Sequence, residues 1–304
     1  MPADTRASRP SFVRLTAYTS PIALALVAAL LYFADDVNDL APQAGSVQVV
    51  GSETMRPVVT ACAEDFMTRN PRADVIVRGG GSGDGLAALL HGMVDIAMTS
   101  RPLSVRERDF AVSKGIEISV VNLALDGITV IVNPAVAITA VDLEQLQDIF
   151  TGKVRHWRQV EGGEFDVLAI ARAAGSGTAS LFGERVLRDK TYGPSVRHLP
   201  TNEAIVAEVA TRPGAIGYTG LGALRGTNSR VKVVALRADA QSTPVPPTPA
   251  TIRSGQYPLV RTLHLATAGN PSGTVKELID FCLSASGQAL LQRAGYVEMK
   301  PSPP

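Results

Sequence analysis

The stretch Asp166-Val167-Leu168-Ala169-Ile170-Ala171-Arg172-Ala173-Ala174-Gly175-Ser176-Gly177-Thr178 decides the fold. Its apolar start, 166–170, predicts a strand. The residues after it, 179–187, predict a helix. Gly175 to Thr178 then occupy a helix N-terminus, where backbone N–H groups lack helical partners and the dipole end is positive. That arrangement suits an anion. Glycine allows close backbone approach, and Ser176 and Thr178 add hydroxyl donors. Arg172 adds a planar fork that fits a tetrahedral oxyanion.

Two earlier stretches share the design. Val75-Ile76-Val77-Arg78 predicts a strand, Gly79 to Gly85 a glycine loop, and Leu86 to Leu90 the start of a helix. Val47-Gln48-Val49-Val50 predicts another strand, followed by Gly51-Ser52-Glu53-Thr54-Met55 and a helix over 58–67. Three strand–turn–helix junctions rich in Ser, Thr and Gly could converge on one anion. A single such loop is as often only a tight turn. Gly83 to Ala88 fits the dinucleotide pattern G-x-G-x-x-A, yet Met98 to Pro102 holds no acidic residue where the ribose needs one. Gly152-Lys153-Val154 lacks the further features of a P-loop.

The remaining elements alternate. Strands are expected at 94–98, 117–121, 127–132 and 215–218, and helices at 107–114, 143–150, 203–210 and 275–293. Alternation of this kind means an α/β fold with largely parallel sheets. The proline-dense run 243–249 is expected to be extended surface chain. The net charge is +1, so nothing in the bulk charge favours nucleic acid, and attraction for an anion must be local. His91, His156, His198 and His264 have no metal-ligand spacing, and no Ser/His/Asp set is evident, so neither a metal nor a cofactor is expected. Cys62 and Cys282 sit among apolar residues. They fit separate buried thiols better than a disulfide, although export would permit pairing.

Residues 1–45 are expected to lie outside the fold. Arg6, Arg9 and Arg14 precede the apolar run Pro21–Ala34, and Asp35, Asp36 and Asp39 follow it. This polarity leaves the N-terminus in the cytoplasm and carries the remainder across the membrane. The 14-residue run suits a signal-peptide core. Taken back to Leu15 it reaches about 20 residues, enough to span. Small residues are poorly placed for cleavage at 32–34 and 42–44, which favours an uncleaved anchor over 15–34.

As a set, these motifs resemble the periplasmic phosphate-binding proteins that serve the high-affinity phosphate ABC importer. The resemblance rests on 51–55, 79–85, Val94 to Leu103, Ala124-Leu125-Asp126-Gly127-Ile128, Ile149 to Lys153, Arg172 with 175–178, and Gly214-Ala215-Ile216-Gly217-Tyr218, in that order. It implies a two-lobed, type II periplasmic-binding-protein-like fold with a hinge and an interlobe cleft. One lobe would comprise 46–125 plus 258–301, the other 126–257. It implies that inorganic phosphate is held by Thr54, the Met55 backbone N–H, Ser82 (also capping its helix), Ser100, Arg172, Ser176, Gly177 and Thr178. An ABC permease is the implied partner, and no catalysis is implied.

Two positions depart from the family. Ser100 stands where many relatives carry Asp, which accepts the proton of hydrogen phosphate and repels sulfate. Asp84 and Asp126 are candidates for that missing acceptor, or for a helix cap and a hinge residue respectively. Ala174 stands where many relatives carry an Asp partner for the arginine. Two rival functions remain: a phosphomonoesterase of the same fold, for which Ser82 and Ser176 are available without an evident base, and a membrane-tethered phosphate sensor.

Overall fold

The computed structural model describes residues 46–225 and 230–299, all within one packed unit, Pro42–Pro304. The apolar run 15–34 lies outside the described residues. The strands are β1 (Val47–Gly51), β2 (Val75–Arg78), β3 (Ile96–Thr99), β4 (Ile118–Val132), β5 (Ala140–Asp142), β6 (Leu168–Arg172), β7 (Arg197–Leu199), β8 (Ala215–Gly220), β9 (Lys232–Arg237) and β10 (Val260–Ala268). The helices are α1 (Arg56–Arg69), α2 (Ser82–Leu90), α3 (Val105–Ser113), α4 (Leu143–Thr151), α5 (Gly177–Phe182), α6 (Asn202–Thr211), α7 (Pro249–Arg253), α8 (Gly273–Leu283) and α9 (Ala285–Arg293).

The strand order is β2-β1-β3-β10-β4-β8-β6-β7, with β9 also on β4 and β5 on β9. The α/β class holds, but the sheet is mixed rather than largely parallel. β10 runs antiparallel to β3 and β4, and β4 runs antiparallel to β8 and β9. The two strands expected at 117–121 and 127–132 are one. Asn122 and Asp126 do not interrupt it, because β10 pairs along 118–127 through a register shift at Leu263/His264. From Ile128 onward the partners become β8 and β9. β4 is therefore the strand that passes from one half of the sheet to the other.

Each half has its own apolar core. One gathers Val49, Met55, Phe66, Met98, Leu123, Leu265 and Leu278. The other gathers Ile128, Val130, Phe150, Trp157, Phe182 and Tyr218. Cys62 and Cys282 are free, buried thiols of the first core. The single long helix expected at 275–293 is broken at Ser284, which takes an extended conformation and caps α9 by accepting from the Gly287 N–H. A serine in mid-helix competes for backbone donors in this way. Chain 243–249 makes only a bridge, Leu236 to Val245, before Thr248 caps α7.

Candidate functional site

The three junctions read from the sequence do meet. After β1, the Ser52 N–H donates to the Met98 carbonyl at 2.9 Å, which docks the turn beside β3. After β2, Gly80 and Gly81 take φ values of 131° and 145°, conformations that favour glycine. After β6, Ser176 caps α5, its hydroxyl accepting from the Ala179 N–H at 3.3 Å. The second and third loops join backbone to backbone: the Gly83 N–H donates to the Gly175 carbonyl at 3.2 Å. The first and third join through Thr54 Oγ1 and Thr178 Oγ1, 3.2 Å apart. Gly177 closes the group. A Cβ on it would lie 2.5 Å from Ser100 Oγ and closer still to Ser82 Oγ.

Arg172 is the last residue of β6 and is 2% exposed. Its Nη1 donates to Asn202 Oδ1 at 2.5 Å and its Nη2 to the Pro200 carbonyl at 2.7 Å. Both partners are neutral, and Nε, though buried, has no partner among the described residues. The Arg172 N–H donates to the Tyr218 hydroxyl, which Tyr192 also bonds, at 2.7 Å. Burial pushes Tyr192 up to about 12, so these phenols stay protonated at neutral pH. Burial first, then the nearby Arg261 charge, lower the Arg172 pKa. Both effects disfavour a cation here, and an adjacent anion would relieve both.

Sequence reading missed Arg261 and Asn202. Arg261, on β10, stands directly across from Asp126 on β4. Its Nε and Nη2 both donate to Asp126 Oδ2, at 2.9 and 2.7 Å. Its Nη1 donates to Thr178 Oγ1 at 2.8 Å and its Nη2 to Thr54 Oγ1 at 3.2 Å. Asn202, the first residue of α6, donates from Nδ2 to Thr54 Oγ1 at 3.3 Å. A signal for Arg261 existed. In Val260-Arg261-Thr262-Leu263-His264-Leu265 the arginine shares the parity of two leucines, and that face is the buried one. A charge on the apolar face of a strand needs a partner.

Several assigned roles change. The Met55 N–H donates to the Ser52 carbonyl at 2.9 Å; the turn that starts α1 occupies the donor assigned to an anion. Ser82 is the first residue of α2 and does not cap it; Gly81 is the capping residue. The Ser82 hydroxyl instead accepts from the Ser100 N–H at 3.1 Å and lies 3.3 Å from Ser100 Oγ. Asp126 is turned to other partners: Arg261 donates twice to Oδ2 and the Leu221 N–H donates to Oδ1 at 3.0 Å. Asp84 is exposed in the first turn of α2. The helix dipole favours a carboxylate there.

Among the described residues there is no group of three or more His, Cys, Asp or Glu able to hold a metal. No helix among them is long and apolar enough to cross a membrane.

A two-lobed α/β fold with a buried, arginine-bearing cleft between its halves defines a substrate-binding protein of the periplasmic type. A family model described as a PBP superfamily domain matches residues 37–286. The phosphate-binding protein PstS of Bacillus subtilis (strain 168) is 31% identical over 254 residues, 83% of this chain and 80% of that protein. A substrate-binding protein from Clostridium perfringens, crystallised with bound phosphate, superposes with a TM-score of 0.75 at 26% identity, covering 84% of this chain and 100% of that one. An ABC-type phosphate transport receptor from Vibrio cholerae gives a TM-score of 0.68 at 27% identity, over 83% and 99%. The chain belongs to the PBP superfamily and, within it, to the PstS phosphate-binding proteins.

Proposed function

We propose that the protein is an extracytoplasmic receptor that binds inorganic phosphate in its interlobe cleft and serves an ABC-type phosphate importer, without catalysing a reaction. One observation carries this reading. Arg172, at the end of the strand that leads into the third Ser/Thr/Gly turn, is buried and its guanidinium bonded only to neutral groups, with a second guanidinium nearby and its partner Asn202 reaching Thr54 of the first turn. Arg172, Arg261 and Asp126 together carry a net charge of +1 in a buried site, offset only at longer range by Glu53 and Glu203. A multiply charged oxyanion offsets that charge and accepts from many donors at once. The relatives named for phosphate binding support the choice of anion.

The direct contacts are assigned to the Thr54, Ser82, Ser100, Ser176 and Thr178 hydroxyls, the Arg172 guanidinium and the Gly177 backbone. The lobes are assigned to 46–125 plus 258–301 and to 126–257. The change of β4 partner after Gly127 supports that division. Membrane attachment through residues 15–34 completes the reading. It requires the protein to stay in the membrane fraction after a high-salt wash.

Calorimetry on the full chain in detergent tests the function. A charge-assisted contact is worth about 1.5–3 kcal/mol, so Arg172→Ala should weaken phosphate binding by about ten- to a hundredfold. Unchanged affinity would remove Arg172 from the site. Phosphomonoester turnover, assayed in parallel, would overturn the non-catalytic reading.

A further inference from the structure

The hydrogen bonds around the two threonines have a direction. A hydroxyl has one proton to give and two lone pairs to receive with. Thr54 Oγ1 receives Arg261 Nη2 and Asn202 Nδ2, so both lone pairs are taken. The Asn202 amide is held in that orientation because its Oδ1 accepts from Arg172 Nη1. Thr178 Oγ1 receives Arg261 Nη1 and lies 3.2 Å from Thr54 Oγ1. If Thr54 gives its proton to Thr178, the lone pairs of Thr178 are filled as well, and Thr178 must donate onward. A hydrogen bond between the two hydroxyls can therefore run only from Thr54 to Thr178, and the proton left for a ligand is that of Thr178.

We propose that Arg261 is a positioning residue. Held by Asp126 and assisted by Asn202, it fills the acceptor sites of Thr54 and, through Thr54, those of Thr178, so that this end of the cleft offers the oxyanion a proton and no acceptor. The proposal rests on the phosphate reading above and deepens it to a protonation state. The monoanion carries two protons; with the Arg172 guanidinium and the Gly177 N–H also able only to donate, one oxygen alone can keep a proton, which favours the dianion. The single proton of hydrogen phosphate is left to the serine end, where the Ser82 and Ser100 hydroxyls face each other and one can accept it while donating to the other.

The Asp126–Arg261 pair is what makes the arrangement firm. Both side chains are almost fully buried, and the two bonds to Oδ2 fix the guanidinium plane. Its remaining N–H bonds then aim at the hydroxyls. The other charged or titratable groups that face the pair are Arg172 from β6 and the phenols of Tyr257 and Tyr296. Glu53 and Glu203 act at longer range. Burial raises both phenols above their ordinary value, so neither titrates near neutral pH. The Tyr296 hydroxyl is occupied, donating to the Thr54 carbonyl.

The test is calorimetric titration of the full-length protein in detergent with inorganic phosphate and, separately, sulfate. The pH series spans the conversion of phosphate from monoanion to dianion at fixed ionic strength. Sulfate keeps its charge throughout, so it reports any titration of the protein itself. Wild type should bind phosphate more tightly as the dianion forms, with sulfate unchanged. The double variant Asp126→Asn, Arg261→Gln keeps the pair neutral. It should lose about tenfold or more in affinity for both anions, and its phosphate profile should flatten because the threonines become free to accept. Arg261→Lys keeps the charge but not the fork, and should recover only part of the affinity. A cooperatively melting double variant with the wild-type pH profile would overturn the proposal. If the double variant does not melt cooperatively, Arg261→Lys decides: wild-type affinity and profile there overturn it. No phosphate binding by wild type would overturn the phosphate reading itself, and this proposal with it.

Discussion

Thr54 Oγ1 and Thr178 Oγ1 lie 3.2 Å apart although 124 residues separate them in the chain. One sits in the turn after β1 and the other in the first turn of α5, in different halves of the fold. Arg261 bridges the two hydroxyls from β10. The site is thus an interface between two half-sites, and each half carries donors but little to bind alone. Its weak points are the positions where the halves touch.

Gly177 is one such position. A methyl group there would crowd Ser82 Oγ and Ser100 Oγ from the opposing half. Overpacking of a tight contact costs about 1–3 kcal/mol. Gly177→Ala should therefore weaken phosphate binding by about tenfold or more, while melting shifts less, because each half keeps its own core. Calorimetry showing wild-type affinity would place the start of α5 away from the anion.

Ser100 bears on selectivity. A hydroxyl rotates to donate or accept, whereas an ionised carboxylate only accepts. Asp126 is held by Arg261 and the Leu221 N–H, so its carboxylate is committed to the fold rather than to the place of Ser100. Wild type should therefore bind sulfate measurably. Ser100→Asp should lower sulfate competition more than it lowers phosphate affinity. A competition titration at fixed pH checks this, and indifference of wild type to a large excess of sulfate would refute it.

His264 gives a pH signature to stability. Burial holds its pKa below the ordinary 6.5, and its ring bonds Asn122 Oδ1 at 2.9 Å. As pH falls, the unfolded chain takes up this proton before the folded chain does. The neutral ring thus contributes stability that is present above the ordinary pKa and lost as pH falls through the folded value. Urea unfolding at pH 7.5 and 5.5 should show a loss for wild type that is smaller in His264→Gln. An equal loss in both would assign it to other groups.

The two thiols make a further check. Hydrogen bonding to Cys62 and then burial push the Cys282 thiol well above its usual range, and the reactive species is the thiolate. A thiol reagent should leave the native protein unlabelled and modify both cysteines after denaturation. Finding no free thiol in the denatured, unreduced chain would mean that the pair is oxidised.

The sequence alone determined the α/β class and the three Ser/Thr/Gly junctions, and it singled out Arg172 at the end of the strand that leads into the third. Each is a local property. Hydrophobic period marks strands and helices, and glycine marks turns where side chains do not fit. Through resemblance it also named Ser100 and Gly177, which the structure brings together beside Ser82. Only the tertiary structure decided that Arg261 joins them, that Asp126 is consumed by it, and that the Met55 N–H and the cap of α2 serve other ends. It also merged β4 into one strand and made the sheet mixed. The physical reason is common to these cases. Whether a donor or acceptor is free depends on which distant group arrives beside it, and Asp126 and Arg261 meet across 135 residues of chain. Local spacing cannot report a partner that strand pairing alone brings into range.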